Sequence, residues 1–242
     1  MSRIYRFTQW LWGSLDWIFP PVCGGCGRKG FRWCPDCQQR VIRVPDPVCQ
    51  CCGVPLLRPG ECPSCRESHP PFKAIRSWAV FEGPIRNAIH ALKYRRNILL
   101  GSALAPNLAG YLTKLGWHAD VVIPVPLGKL RLKERGYNQV GLFARPLAAA
   151  QDWQYEPQAL TRERETRSQV GLSPLERKEN ITGAFGADPL HVSGKNILLM
   201  DDVITTGATL AACADALAKA GARNIYGLTL ARAMPYHGLQ IV

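Results

Sequence analysis

From residue 75 onward the apolar positions follow two alternating rhythms. The stretch "IRSWAVFEG" (75–83) alternates apolar and polar side chains and reads as a strand. Directly after it, "GPIRNAIHALKY" places Ile85, Ile89 and Leu92 at helical spacing, with Pro84 tolerated in a first turn. "ADVVIPVP" (119–126) is a short, continuous β-branched run that stops at two prolines. "YNQVGLFARPLAAAQ" (137–151) then reads as a helix, "KNILLM" (195–200) repeats the buried-strand pattern, and "GATLAACADALAKAG" (207–221) is a helix closed by Gly221. "NIYGLTLAR" (224–232) is one more strand. Buried strands alternating with helices predict an α/β fold, a parallel sheet with helices on both faces. Ligands in such sheets collect outside the carboxyl ends of the strands, so the loops Pro124–Lys129 and Asp201–Thr209 should share one crevice.

Upstream, cysteine replaces both rhythms. Of ten cysteines in 242 residues, all but Cys213 fall between Cys23 and Cys65. Eight of them form four "C-two residues-C" pairs: Cys23 and Cys26, Cys34 and Cys37, Cys49 and Cys52, Cys62 and Cys65. Such density would mean disulfides in a secreted domain, but pairs spaced this way with no secretory signal ahead of them predict metal in a reducing cytoplasm. Four thiolates suit one closed tetrahedral zinc, so eight predict two structural zinc sites. Glycines in "CGGCG" and "CCG" suit the tight knuckles, and pairing the sulfurs in sequence order puts Cys23, Cys26, Cys34 and Cys37 on one ion. Cys49, Cys52, Cys62 and Cys65 then take the other, a cross-braced pairing being the alternative on spacing alone. Cys51 is a spare between ligands, His69 an exposed loop residue, and Cys213 a small core residue.

The linker "RESHPPF" marks a boundary near residue 70. The expected organisation is an N-terminal amphipathic segment (1–20), a double zinc-binding module (21–70) and the α/β domain (71–242). The first segment carries Trp10, Trp12 and Trp17 but is broken by Arg6, Gln9 and Asp16, too often to span a bilayer. It should pack its tryptophans on the protein itself, with peripheral membrane or partner contact as the alternative. The net charge of +12 points to an anionic partner without choosing among phosphates, nucleic acid and membrane.

The richest chemistry lies in "KNILLMDDVITTGAT" (195–209), where two acids follow an apolar strand and precede a threonine-glycine turn. The helix that begins there has unpaired first amides and a dipole that favours negative charge. Hydroxyls of Thr205, Thr206 and Thr209, with amides freed by Gly207, form a phosphate cradle. Asp201 and Asp202 would repel that phosphate, so their partners are hydroxyls or a cation further along the ligand. A ribose 5-phosphate meets both demands. Lys129, Arg131, Lys133 and Arg135 follow the end of another strand and could neutralise further phosphate charge. His90, His118, His191 and His237 show no relay pattern and are expected to be structural or surface residues.

"ILLMDDVITTGAT" resembles the phosphoribosyl pyrophosphate (PRPP) signature of type I phosphoribosyltransferases. With the cysteine block, "LKYRRN" (92–97), "PVPLGKLRLKERGYNQ" (124–139) and "RSQVGLSPLERKENITGAF" (167–185), the chain resembles the ComF/GntX family from end to end. The resemblance implies a type I phosphoribosyltransferase-like sheet, PRPP with Mg²⁺ as ligand, and a role in competence, DNA uptake or DNA utilisation. It implies that Asp201 and Asp202 contact the ribose hydroxyls and that Thr205, Thr206, Gly207, Ala208 and Thr209 hold the 5-phosphate. Leu127, Gly128 and Lys129 would approach the pyrophosphate. The stretch 161–180 resembles a lid whose Arg164 and Arg167 contact the anion, with a helix starting at "SPLE" (173–176).

Two functions follow. One is a Mg²⁺-dependent PRPP-using transferase whose catalytic set is Asp201, Asp202, Lys129, Arg135, Arg164 and Arg167, and whose acceptor no segment specifies. The other is a non-catalytic zinc-containing accessory protein that binds single-stranded DNA or senses PRPP, working with the DNA-uptake machinery.

Overall fold

The computed structural model describes residues 20–68, 70–164, 181 and 183–234. The early "SPLE" helix start, Arg167, His69, His237 and the tryptophan-rich segment lie outside the described residues. In chain order the elements are α1 (Pro35–Gln39), α2 (Pro63–Ser68), β1 (Ala74–Val80), α3 (Gly83–Tyr94), α4 (Ile98–Leu115) and β2 (Val121–Pro124). Then come α5 (Lys129–Arg135), α6 (Gly141–Gln151), β3 (Gln154–Tyr155), β4 (Leu160–Arg162) and β5 (Phe185–Ala187). The last are α7 (Pro189–Val192), β6 (Asn196–Ile204), α8 (Ala208–Lys219) and β7 (Asn224–Arg232).

Five strands form one sheet in the order β1-β7-β6-β2-β3, every pairing parallel; β4 and β5 make a small antiparallel ribbon. The central strands are apolar on both sides because both faces are covered. On one face, Val122, Leu198, Met200 and Leu228 meet Ile85 and Leu92 of α3, Leu104 and Leu108 of α4, and Phe143 and Leu147 of α6. On the other, Val121, Ile123, Ile197 and Leu199 meet Leu210, Cys213 and Leu217 of α8 and Leu160 and Phe185 of the ribbon.

The cysteine-rich segment clips over the free edge of β1. Its first half sits on the α3/α4 face: the Asn87 amide donates to the Gly25 carbonyl at 2.8 Å, and a Cβ at Gly24 would meet the Leu100 side chain at 2.2 Å. Its second half lies on the opposite face, where Cys49, Cys51, Cys62 and Cys65 share a cluster with Ile75 and Ile225. Between them the chain crosses the strand edge, with Val80 N–H donating to Ile42 (2.9 Å) and Ile75 N–H to Cys51 (2.5 Å). Gly53 permits the tight crossing, since a side chain there would strike the Ile75 carbonyl at 2.4 Å and its φ is +70°. An uncovered parallel edge invites pairing with other chains, and this strap blunts it.

The structure departs from the sequence reading in several elements. The basic segment expected as a loop after β2 forms a two-turn helix, α5, closed by Gly136 in the left-handed region. β6 continues four residues past Met200 to Ile204, held by β7, so both acids lie within a strand. α4 went unread because Gly101, Pro106 and Gly110 interrupt its pattern.

Candidate functional site

The eight paired cysteines form two separate clusters in sequence order, Cys23/Cys26/Cys34/Cys37 and Cys49/Cys52/Cys62/Cys65, each with all four sulfurs within 4.8 Å of one another. Cys51 is outside both; its carbonyl serves β1. Sulfur separations of 3.7 Å (Cys23–Cys37), 3.6 Å (Cys26–Cys34) and 3.7 Å (Cys52–Cys62) match the edge of about 3.8 Å in a tetrahedron built on ~2.3 Å zinc–sulfur bonds. Backbone amides point at the sulfurs as a thiolate requires: Cys34 N–H to Cys23 (3.4 Å), Cys37 N–H to Cys34 (3.4 Å) and Cys62 N–H to Cys49 (3.3 Å). Burial pushes the Cys23 and Cys49 thiols up, but several amide donors outweigh it and leave each at about 7. These two clusters fit structural zinc and leave no open position for chemistry.

The sheet topology marks the ends of β2 and β6 as a candidate crevice. These strands are neighbours, with Val125 N–H donating to Met200 at 2.8 Å just beyond the last β2 pairing. From β2 the chain returns through α6 on one face to β3; from β6 it returns through α8 on the other face to β7. The connections therefore diverge at this point, the topology at which α/β sheets hold ligands.

Thr205, Thr206 and Gly207 make the turn from β6 into α8. Gly207 takes φ +81°, which a side chain adopts only under strain, and Ala208 N–H donates to the Thr206 hydroxyl at 3.4 Å. Both threonines are exposed, while Gly207, Ala208 and Thr209 are partly buried. The amides of Ala208, Thr209 and Leu210 precede the first intrahelical bond, so the helix start presents donors and a positive dipole. After β2, Leu127 and the buried Gly128 lead into Lys129, the exposed first residue of α5. Arg164 is exposed, just beyond β4.

The two acids have different surroundings. Asp202 is buried (5% exposed), accepting from Lys93 Nζ at 2.8 Å and from Gln139 Nε2 at 2.5 Å, one bond on each oxygen. Gln139 in turn accepts from Arg135, whose guanidinium lies 5.5 Å from the Tyr94 ring centre. Asp201 Oδ1 accepts the Asp202 amide at 2.8 Å. Burial pushes the Asp201 carboxyl up, the Asp202 charge pushes it further, and the amide and Lys93 only partly offset them, so it lies at about 7. A carboxylate pair of which only one member has a lysine suits hydroxyl donors or a hard cation.

Lys93 and Gln139 were not among the residues singled out from the sequence. Lys93 closes an amphipathic helix and reads as an ordinary solvated lysine, and Gln139 precedes α6; only the fold brings the end of α3 and the start of α6 to Asp202. Arg135 reaches the site by this route, through Gln139, rather than by facing Asp202 itself.

Residues 14–70 match the double zinc ribbon domain family. The DNA utilization protein YhgH of Escherichia coli K12 is 33% identical over 202 residues, which cover 81% of this chain and 88% of that protein. Competence protein F of Haemophilus influenzae is 31% identical over 216 residues, 83% of this chain and 90% of its own. The chain belongs to the ComF/GntX family. Competence protein ComFC of Bacillus subtilis is a more distant relative of this ComF/GntX protein, at 25% identity over 213 residues, 82% of this chain and 83% of its own. Among solved structures, an adenine phosphoribosyltransferase matches 58% of this chain and 76% of its own at 17% identity, with a TM-score of 0.38. That score is too low to bear on the ComF/GntX fold, which rests on the sheet order itself. Among the described residues no helix is long and apolar enough to cross a membrane.

Proposed function

We propose that this protein binds Mg²⁺–PRPP in the crevice between β2 and β6 and acts in the uptake or utilisation of DNA. The observation that carries the ligand is the order of groups along one turn: a carboxylate pair, then threonine hydroxyls and the backbone amides of a helix start, at the point where the sheet connections diverge. The phosphate occupies the Thr205–Thr209 turn, and the ribose hydroxyls donate to Asp201 and share the lone pairs left on Asp202. The pyrophosphate faces Leu127, Gly128 and Lys129, with Arg164 as an anion contact on the ligand's open side. Asp201 would help hold a magnesium ion, which would supply positive charge to offset the pyrophosphate. Lys93 and Gln139, each bonded to one oxygen, hold the Asp202 carboxyl oriented.

The names of relatives matched along most of the chain support the DNA role. Complementation tests the link between ligand and role: a strain lacking this protein and unable to use DNA as a nutrient receives either the wild type or Asp201→Asn. The wild type restores growth and the variant, expressed at equal level, does not. Equal growth with both would separate PRPP binding from the DNA role.

A further inference from the structure

A cavity lies beneath the strap, away from the candidate crevice. It has a volume of about 540 Å³ and is walled by the strap around Arg43 and Val48, the middle of β1, and the second half of α4 from Pro106 to Leu115. Strands β7 and β6 separate β1 from β2, and α4 ends just before β2 enters the sheet. The cavity therefore lies at the free sheet edge, toward the strand starts, whereas the crevice lies at the strand ends. Its position follows from the strap, which touches β1 at Ile75 and Val80 and bows away between them, leaving Ser77 on the cavity wall.

Three cations and one acid line this space: Arg43, Arg76 and Lys114 against Asp46. The two arginines are fixed by backbone carbonyls instead of carboxylates. Arg43 Nη1 donates to the Trp78 carbonyl at 3.1 Å and its guanidinium stacks 4.7 Å from the Trp78 ring centre. Arg76 Nη1 donates to the carbonyls of Ile75 (2.7 Å), Gln50 (3.1 Å) and Cys49 (3.3 Å). Carbonyls orient a guanidinium without cancelling its charge, and each arginine uses one nitrogen of three here. Among the described residues neither guanidinium has a carboxylate within ion-pair distance. The remaining wall is of another kind: the partly buried Tyr111 ring, Val48, Pro106 and Leu115, with the Asn107 carboxamide between them.

We propose that this cavity is a binding site for a nucleoside monophosphate, its phosphate held by Arg43, Arg76 and Lys114 and its base against Tyr111. A bare phosphate would use the cations and leave most of the volume and the apolar wall unfilled, while cavities of this size accommodate a ligand that combines a planar apolar body with a few polar groups. The nucleotide is a free monophosphate or the phosphorylated end of a DNA strand, which share the chemistry. The site is built jointly by the zinc-bearing strap and the sheet, so both must be in place to form it.

Calorimetric titration of the zinc-loaded full chain with dAMP, with a 5′-phosphorylated oligothymidylate and with inorganic phosphate tests it. The wild type is expected to bind dAMP with a dissociation constant below about 1 mM, and phosphate at least about tenfold more weakly. Lys114→Glu, at an exposed position, and Tyr111→Leu should each weaken dAMP by about tenfold with unchanged zinc content and circular dichroism. Asp201→Asn, which acts in the crevice, should leave dAMP binding unaltered even where it abolishes PRPP binding. Oligonucleotide binding that competes with dAMP identifies the strand end as a source of the ligand; absence of competition assigns the site to free nucleotide. Absence of dAMP binding overturns the proposal. So does binding that is indifferent to both cavity variants, or binding lost in Asp201→Asn, which would place the nucleotide in the crevice.

Discussion

Asp202 has its lysine and its glutamine, whereas Asp201 is raised to about 7 by burial and by the Asp202 charge. An acid must be ionised to accept ribose hydroxyls in full, so PRPP binding should strengthen as pH rises from about 6 to 8. Stability should move the other way. Between the ordinary carboxylate value of 3.8 and about 7 the folded state binds more protons than the unfolded state, so stability falls as pH rises through that window. Asp201→Asn should remove this slope in denaturant titrations while abolishing PRPP binding; a slope that persists would assign it to other groups. A second residue, Arg232, is 4% exposed and donates to the Cys52 carbonyl. Burial lowers its pKa, and the neighbouring thiolates of Cys52, Cys49 and Cys62 oppose that shift. A buried guanidinium needs an anion, and zinc bound by four thiolates carries a net charge of about −2. Arg232→Met should therefore speed zinc loss from the second cluster by about tenfold or more, read as one faster phase in release to a colorimetric chelator. Unchanged release would assign Arg232 a packing role alone. The acids and the cysteines were legible in sequence because their chemistry is local in spacing. Lys93, Gln139 and Arg232 were not, because each meets its partner across more than sixty residues of intervening chain.

At the scale of elements, the zinc-bearing segment and β1 depend on each other. Each half of the cysteine-rich segment grips one face of the sheet, and the strap between them pairs with the strand edge at Ile75 and Val80. Removing the metal should release this strap before the sheet unfolds. Hydrogen exchange is then expected to rise first at the Ile75 and Val80 amides, with concentration-dependent light scattering as freed edges associate. Exchange that rises uniformly across the sheet on chelation would contradict this order. The strands and helices with clean periodicity, such as β6, β7 and α8, were legible because burial on both faces or on one stripe leaves a strong apolar signature. The short β3, β4 and β5 offer too few residues for any period, and in α4 the glycines and proline conceal a helix that packing against α6 sustains. The basic run after β2 carries leucines that stay exposed, Leu130 at 68% and Leu132 at 44%, so burial gave no sign of the helix it forms.

For the molecule as a whole, the parallel sheet and its covering helices follow from the alternation of strand and helix patterns. The sequence could not show that the cysteine-rich segment straddles the sheet, because that arrangement depends on glycine contacts such as Gly24 with Leu100 and Gly53 with Ile75. The same arrangement puts distinct chemistry at two ends of one scaffold: a crevice at the strand ends and a cationic cavity under the strap. The central claim is that the crevice holds Mg²⁺–PRPP, and a calorimetric titration of the zinc-loaded protein with PRPP, with and without Mg²⁺, tests it most directly. Saturable binding that requires Mg²⁺, is weakened about tenfold or more by Lys93→Met and is lost in Asp201→Asn is the predicted result. Absence of PRPP binding, or binding that survives Asp201→Asn unchanged, would contradict it.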